Sequence, residues 1–595
     1  MLRAEWFNTI RFGVSVSFGT SKQYTIIRIL IQTAKALLPL GVIAITSRIL
    51  DILSSPNAIN AVLSFSALLI LLCVFQIILQ LINKVSEYVQ QLHDAMLDNF
   101  LLMKVLNKTA NIDMSFYDSP SYYDRLQHTK INSVVISQMI WNIFDLIACV
   151  IAFSISFIVL YKYSALFALV ILVSYIPLIL YDQVFIKKIY SWQRENLGNE
   201  RRMSYLSDII TQRAYSNNSK HFGIFEYFIG LYIDIWKFWF SSKKAILQKK
   251  YIGLIFLGII PQLITIFILY NLGLDIIHTT RTIGDFALYS GIISQMISNL
   301  FIIVYLVTRI SECKMHTRDF VSFLKWGNAV EETGTRSLEN ISSIEFKNVS
   351  FSYPKSTDNI LKNLCLRFNA DEHFAIVGIN GAGKTTIIKL LLRFYDPTEG
   401  TILINGIDIK EYTPSSIRNC FSVLFQDYIN YAFKIRENIT ISDLLNKDCE
   451  CEIADASDKS GVSKMIKNME KGVDTYLYKT FEDNGKELSG GENQKISLAR
   501  TFFRERDIMI LDEPSAHLDP ESEMEMFKKI IKHRKNKGLI LITHRISNIV
   551  HFNRIIVLEN GIIEEDGTHE ELMHKNGRYS QMFKIQSKNF LSDVE

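Results

Sequence analysis

Long apolar runs fill residues 24 to 310 and disappear afterwards. A helix needs about 20 mostly apolar residues to cross the hydrocarbon core of a bilayer. Six runs meet that requirement, near 24–49, 59–83, 136–160, 163–185, 251–277 and 284–309. Ahead of them Leu2, Trp6, Phe7, Ile10 and Val14 recur at helical spacing with Arg3 and Arg11 beside them, which predicts a helix lying in the membrane interface within residues 1–23. The short apolar core and small-residue cleavage site of a secretory signal are missing there. From Ile344 onward the pattern is that of a water-soluble α/β domain. The expected organisation is therefore a polytopic α-helical membrane domain over 24–325, a linker over 326–343 and an α/β domain over 344–595.

The connections between the six spans are unequal. Spans one and two are joined by a short turn around Ser54-Ser55-Pro56-Asn57, and three and four almost directly through Tyr161 and Lys162. Residues 84–135 and 186–250 are long, polar and compatible with helix, so at 1.5 Å per residue they reach tens of ångströms into water. The second carries twelve basic residues from Lys187 to Lys250, whereas the short connections offer only Lys162 and Arg281. Positive charge favours the cytosolic side. Both long loops, both termini and the C-terminal domain are thus expected in the cytosol.

Composition supports a chain that is partly in lipid, since 49% of residues are hydrophobic and the mean hydropathy is +0.15. The net charge is +4 with basic residues spread along the chain, so nucleic acid is not an expected partner. Seven cysteines without repeated spacing argue against a disulfide framework, and the lone Cys449-x-Cys451 pair reads as loop thiols. Lys35, Gln76, Gln80 and Asp145 fall within the spans, where polar groups are costly and should face the bundle interior.

The strongest chemical signal is Gly378-Ile379-Asn380-Gly381-Ala382-Gly383-Lys384-Thr385, which follows the strand-like run Phe374-Ala375-Ile376-Val377. Glycines at this spacing let backbone N–H groups curl around phosphates, Lys384 supplies a point charge to their outer oxygens, and the Thr385 hydroxyl suits Mg²⁺. Thr386 and the residues after it open a helix whose positive end faces the phosphates. A second element supports the first. Ile508-Met509-Ile510-Leu511 reads as a buried strand ending in Asp512-Glu513, and two carboxylates there are costly unless they meet a cation. Asp512 is placed to bind Mg²⁺, and Glu513 to orient an attacking water. The C-terminal domain is thus expected to be a P-loop NTPase.

Leu488-Ser489-Gly490-Gly491-Glu492-Asn493-Gln494 resembles the signature sequence of the ATP-binding cassette (ABC) transporters, and the resemblance extends over essentially the whole chain. It implies ATP and Mg²⁺ as ligands, and it implies a dimer in which Ser489, Gly490 and Gly491 of one subunit close over the ATP of the other. Tyr353 in Phe351-Ser352-Tyr353-Pro354 resembles the aromatic that stacks on adenine, Gln426 the glutamine that links Mg²⁺ to the membrane domain, and His544 the switch histidine that contacts the γ-phosphate. Ala516-His517-Leu518-Asp519 looks like the loop that communicates between the two ATP sites. His517 there, and Glu492 in the signature, depart from the usual residues. Because Lys384, Asp512, Glu513 and His544 are all present, a homodimer would have two competent sites, although a heterodimer is compatible with the same motifs.

Within that family the order of domains resembles bacterial half-transporters of the exporter type, multi-pass in the cytoplasmic membrane. Segments Phe116 to Asp124 and Phe222 to Phe225 are expected to form short coupling helices against the ATP-binding domain. Phe425-Gln426-Asp427-Tyr428 and the stretch from Phe116 to Arg125 look most like exporters of antimicrobial peptides such as lantibiotics. No leader-cleaving protease domain precedes the first span, so peptide cargo would be matured elsewhere. A multidrug or lipid exporter of hydrophobic small molecules shares the same motifs. An ATP-gated channel or regulatory membrane protein is the alternative of another class, and the intact Glu513 argues against it.

Overall fold

A computed structural model describes the chain except Met1, residues 55–57, Ser119, 279–280, 328–333, Lys355, Thr357, 516–519, Asn536 and 592–595. Part of the expected first turn and the whole Ala516-His517-Leu518-Asp519 loop lie outside the described residues. The chain divides into two compact units. One comprises Met1–Asn111 with Pro120–Trp326, the other Ile112–Ser119 with Gly327–Glu595.

The first unit is helical. Its elements are α1 (Leu2–Thr20), α2 (Lys22–Ser54) and α3 (Ala58–Ala110), then, after α4 (Met114–Tyr117) of the other unit, α5 (Pro120–Tyr163), α6 (Ala165–Ser174), α7 (Ile176–Thr211), α8 (Arg213–Phe222), α9 (Phe225–Ile277) and α10 (Ile283–Leu324). Among the described residues six helical stretches are long and apolar enough to cross a membrane, Lys22–Ser54, Val62–Ala110, Val135–Tyr163, Ala165–Thr211, Phe225–Ile277 and Ile283–Leu324. Four of them run well beyond the apolar windows, because the polar residues flanking those windows continue the helix. The turn expected at Tyr161 and Lys162 falls instead at Ser164, whose hydroxyl accepts from Phe167 N at 3.4 Å and caps α6. A second break follows at Tyr175, where Pro177 enters the first turn of α7 and removes a helix donor.

One face of α1 packs on the bundle: Thr9, Val16 and Ser17 are buried, and Phe12 packs on Phe320 of α10 at 6.3 Å between ring centroids. Of the polar groups expected inside the bundle, only Asp145 approaches that position. Lys35, Gln76 and Gln80 are exposed. The apolar window of the span Val62–Ala110 contains no buried residue, so this helix is an edge of the single-chain bundle and its outer faces are left for lipid or a second chain. Lys250 and Asp182 form a buried ion pair in this unit. Lys250 Nζ lies 2.8 Å from Asp182 Oδ1, and Thr308 donates to Asp182 Oδ2 at 2.6 Å.

The second unit is α/β. Its strands are β1 (Ser343–Phe351), β2 (Leu361–Asn369), β3 (His373–Val377), β4 (Glu399–Ile404), β5 (Ile407–Asp408), β6 (Phe421–Leu424), β7 (Ile508–Asp512), β8 (Gly538–Ile542), β9 (Arg554–Glu559) and β10 (Ile562–Gly567). Its helices after α4 are α11 (Lys384–Leu391), α12 (Pro414–Asn419), α13 (Ile435–Thr440), α14 (Glu450–Ser460), α15 (Ser463–Lys467), α16 (Gly490–Phe503), α17 (Pro520–His533), α18 (His569–Lys575) and α19 (Arg578–Leu591). A four-stranded sheet has the order β2-β1-β4-β5, and a six-stranded sheet the order β10-β9-β3-β8-β7-β6.

The larger sheet is parallel from β9 to β6, with β10 antiparallel at its edge. Parallel strands are covered on both faces and read as continuous apolar runs. Every residue of β7 and β8 is accordingly buried. Alternate side chains feed two cores, Ile376, Ile510, Ile540 and Ile542 on one side and Val377, Met509, Leu511 and Leu541 on the other. The carboxyl ends of neighbouring strands β3, β8 and β7 therefore come together, the place where open α/β sheets bind ligands.

Candidate nucleotide site

The loop between β3 and α11 turns at Gly381 (φ 82°) and Gly383 (φ 101°), conformations that L side chains rarely adopt. Gly378 is required for a different reason, because a Cβ there would lie 2.2 Å from Leu558 O. Lys384 is 7% exposed and folds back over its own loop, donating to Gly378 O at 2.8 Å and Ile379 O at 3.0 Å. Burial lowers its pKa, and the charges of Glu513 and Asp512 oppose that shift. A cationic head held among loop carbonyls, close to helix-start N–H groups, is a receptor for phosphate oxygens.

Thr385 donates its hydroxyl to Asp512 Oδ2 at 2.8 Å, while Oδ1 of the same buried carboxylate has no hydrogen-bond partner. Burial pushes the Asp512 carboxyl up to about 6, helped by the charges of Glu513 and Asp427 and resisted by the Thr385 hydroxyl and Lys384. An orphaned, desolvated carboxylate oxygen beside a threonine hydroxyl fits a hard divalent cation. Asp512 and Thr385 would hold Mg²⁺ here, with Gln426 nearby on the loop after β6.

Glu513 follows at φ 50°, held there by its N–H bond to Ile542 O at 2.9 Å. Its carboxylate is shared by two partners. Gln426 Nε2 donates to Oε2 at 3.0 Å, and His544 Nδ1 stands 3.2 Å from Oε1. Tyr353 sits in an aromatic cluster with Phe351 and Tyr395, at 5.1 Å and 5.3 Å between centroids, and its hydroxyl is 3.3 Å from Thr386 Oγ1. Tyr353, Gly378, Asn380, Gly381, Gly383, Lys384, Thr385, Thr386, Gln426, Glu513 and His544 line one cavity of about 720 Å³. Ala382 and Asp512 stand behind this lining, in the core and at the strand end.

Ser489, Gly490 and Gly491 do not line that cavity. Ser489 caps α16, accepting from Glu492 N at 3.3 Å while its own N–H donates to Glu492 Oε2 at 2.8 Å. Glu492, a departure from the family pattern, thus completes a capping box. Sequence reasoning missed Ile360, Met582 and Gln586, which also line the cavity. No motif marked them: Ile360 is one apolar residue before β2, and Met582 and Gln586 lie on α19, after the last phosphate-binding motif.

Residues 361–516 match the family model described as ABC transporter. The subtilin transport ATP-binding protein SpaT of Bacillus subtilis is 30% identical over 526 residues, covering 87% of this chain and 84% of that one. The chain belongs to the ABC transporter family. The nisin transport ATP-binding protein NisT of Lactococcus lactis is 28% identical over 590 residues, 97% of the transporter and 96% of the relative. An ATP-dependent lipid A-core flippase of Salmonella typhimurium is 37% identical over 257 residues, 43% of each chain. A bacterial Atm1-family ABC exporter with ATP bound has the same fold, with a TM-score of 0.83 at 20% identity over 95% of this chain and 98% of that one. The transporter is a multi-pass membrane protein with an ABC domain, a half-transporter whose ATPase activity is coupled to export.

Proposed function

We propose that this transporter exports a peptide across the bacterial cytoplasmic membrane as a homodimer. The observation that carries the peptide reading is a cavity of about 1310 Å³ in the helical unit, where the carboxamides of Gln90, Gln138, Asn142, Gln183 and Gln193 stand among charged side chains of both signs and apolar and aromatic ones. A carboxamide both donates and accepts, so a set of them matches the N–H and C=O groups of a peptide chain. Acyl chains offer nothing for those groups to bond, and desolvating them without a partner is unfavourable. The transporter's similarity to the subtilin and nisin transport proteins along most of their length supports the same cargo class.

A second copy supplies what one chain lacks. At 53 residues α9 is about 80 Å long, far more than the roughly 30 Å hydrocarbon core. Its N-terminal half therefore lies outside lipid, yet exposes Tyr227, Ile233, Trp236, Phe238 and Phe240. Such a patch needs a protein cover. The capped start of α16, which does not reach this chain's cavity, would close on the phosphates bound by the other copy.

In this reading Tyr353 stacks on the base, and the loop from Gly378 to Thr386, with Lys384, binds the phosphates. Asp512, Thr385 and Gln426 would hold Mg²⁺, which would supply positive charge to the phosphates. Glu513 orients the attacking water and accepts its proton, and His544 contacts the γ-phosphate. Binding of ATP drives closure only through its higher affinity for the closed dimer, and hydrolysis removes that preference. The α4 segment, packed in the ABC unit, transmits closure to the spans.

The test is ATPase activity of the protein in proteoliposomes, with and without its Glu513→Gln variant, while a lantibiotic precursor peptide, cationic drugs and lipid A are added in turn. Stimulation by the peptide, absent from the variant, is the expected result. Stimulation by drug or lipid alone would replace the peptide reading with the multidrug or flippase one. Hydrolysis that no added compound alters would favour a regulatory membrane protein.

A further inference from the structure

The carboxamide of Gln586, in α19, bridges the backbone of the segment that carries His544. Its Nε2 donates to His544 O at 2.5 Å, and its Oε1 accepts from Ile546 N at 2.9 Å. Glu523 of α17 holds the following residues from another side. Arg545 Nη1 donates to it at 2.6 Å and Asn548 Nδ2 at 2.5 Å, and Glu523 is 6% exposed. The His544 side chain itself is half exposed, so its aim depends on how firmly its backbone is fixed. Gln586 also lines the nucleotide cavity, one helical turn beyond Met582.

We propose that Gln586 is a positioning residue for ATP hydrolysis, using both ends of its carboxamide to fix the His544 backbone and so aim the imidazole at the terminal phosphate. The C-terminal helix becomes the back wall of the hydrolytic site. Misplacing a group at a reacting centre by about 1 Å can cost about 100-fold in rate, so two bonds to one short segment are enough to matter. The inference rests on the assignment of His544 as the phosphate-contacting residue, and it adds a dependence on α19 that the phosphate-binding motifs do not contain.

Three variants of the full-length reconstituted transporter test it. Gln586→Met keeps the length and removes both bonds. Gln586→Glu keeps the acceptor for Ile546 N, but it turns a carboxylate toward the His544 carbonyl and can donate there only when protonated. The expected result is a kcat for ATP about 10-fold lower in Gln586→Met, with KM within about 2-fold of wild type. Gln586→Glu should behave similarly near pH 8, then recover relative to wild type as pH falls toward about 6, because bonding to the neutral carboxyl raises its pKa. A merely structural role for α19 gives no such pH-dependent rescue.

The inference is overturned by a normal kcat in Gln586→Met, by a loss confined to KM, or by Gln586→Glu tracking Gln586→Met at every pH. His544→Ala separates the two levels. If it hydrolyses ATP at the wild-type rate, the inference falls together with the assignment of His544. If it is inactive while Gln586→Met is intact, the inference about Gln586 alone falls.

Discussion

The Thr385 hydroxyl donates to Asp512 Oδ2 at 2.8 Å and leaves Oδ1 of that buried carboxylate with no partner. The pair joins the end of the phosphate loop to the end of β7, and it is half of a cation site. Before nucleotide arrives, the same feature is a source of instability, because an ionised carboxylate sits where water cannot reach it.

The sign of its pH dependence follows from the folded value of about 6 against the ordinary carboxyl value of 3.8. Between these values the folded state binds more protons than the unfolded one, so stability falls as pH rises through the window, and the cost is complete above the folded pKa. It amounts to as much as about 3 kcal/mol. Nucleotide-free Asp512→Asn should therefore melt higher than wild type at neutral pH, and the difference should vanish near pH 4, where both side chains are neutral. Thermal unfolding of the solubilised protein across that range checks it; a variant that melts lower than wild type at neutral pH would contradict the account. Mg²⁺ with ATP should raise the wild-type melting temperature more than that of the variant.

Glu492 gives a prediction that runs against the family pattern. Its carboxylate is held below the usual range by the Ser489 backbone N–H, with Lys486 adding to the effect. Glutamine also serves at this capping position. Glu492→Gln should thus leave ATPase activity near wild type, whereas Glu492→Ala should cost about 1 kcal/mol at the start of α16 and lower activity several-fold. ATPase rates and thermal melts of the two variants decide the matter. Equal losses in both would mean that charge, not capping, is what Glu492 supplies.

The loop geometry and its strand were legible because residues there answer local demands: glycine for positive φ, and an apolar run for a strand covered on both faces. The six spans were legible for the same local reason. Orientation was not. Helical spacing says that Gln76 and Gln80 share a face of α3, but which face meets another helix depends on neighbours distant in sequence, and both residues emerged exposed. Gln586 was hidden because its carboxamide bonds backbone atoms, which any sequence supplies. The capping box of Ser489 and Glu492 was readable from a serine and a glutamate three apart.

The segment Ile112–Ser119 belongs to the ABC unit, where Asp118 accepts a hydrogen bond from Tyr395. Burial and the adjoining carboxylate hold the Tyr395 phenol protonated well above its ordinary range. Tyr395 also packs edge-on against Tyr353, the residue assigned to the base, and at a tilt against Phe351. One side chain thereby touches both the segment after α3 that carries Asp118 and the ring of Tyr353. Tyr395→Phe keeps the ring and removes the bond, so basal ATPase should persist while stimulation by cargo drops about five-fold, a loss typical of one coupling contact. Parallel assays of basal and stimulated hydrolysis distinguish this from a general defect, in which both fall together.

Trp236 and Phe240 stack at 5.0 Å with their planes 9° apart, one turn from each other on the exposed half of α9. Stacked aromatics in water are the commonest anchors of protein interfaces, and truncating one typically costs about 2 kcal/mol of association. If a second copy covers this patch, Trp236→Ala with Phe240→Ala should shift the detergent-solubilised protein toward monomer by about three orders of magnitude in dissociation constant. ATPase activity should fall in proportion, because each phosphate loop would then lack the α16 start of the other chain. Mass photometry across a dilution series reads the first effect directly. A double variant that stays dimeric at every concentration, with full activity, would place the covering surface elsewhere and leave these rings to contacts within the long helices.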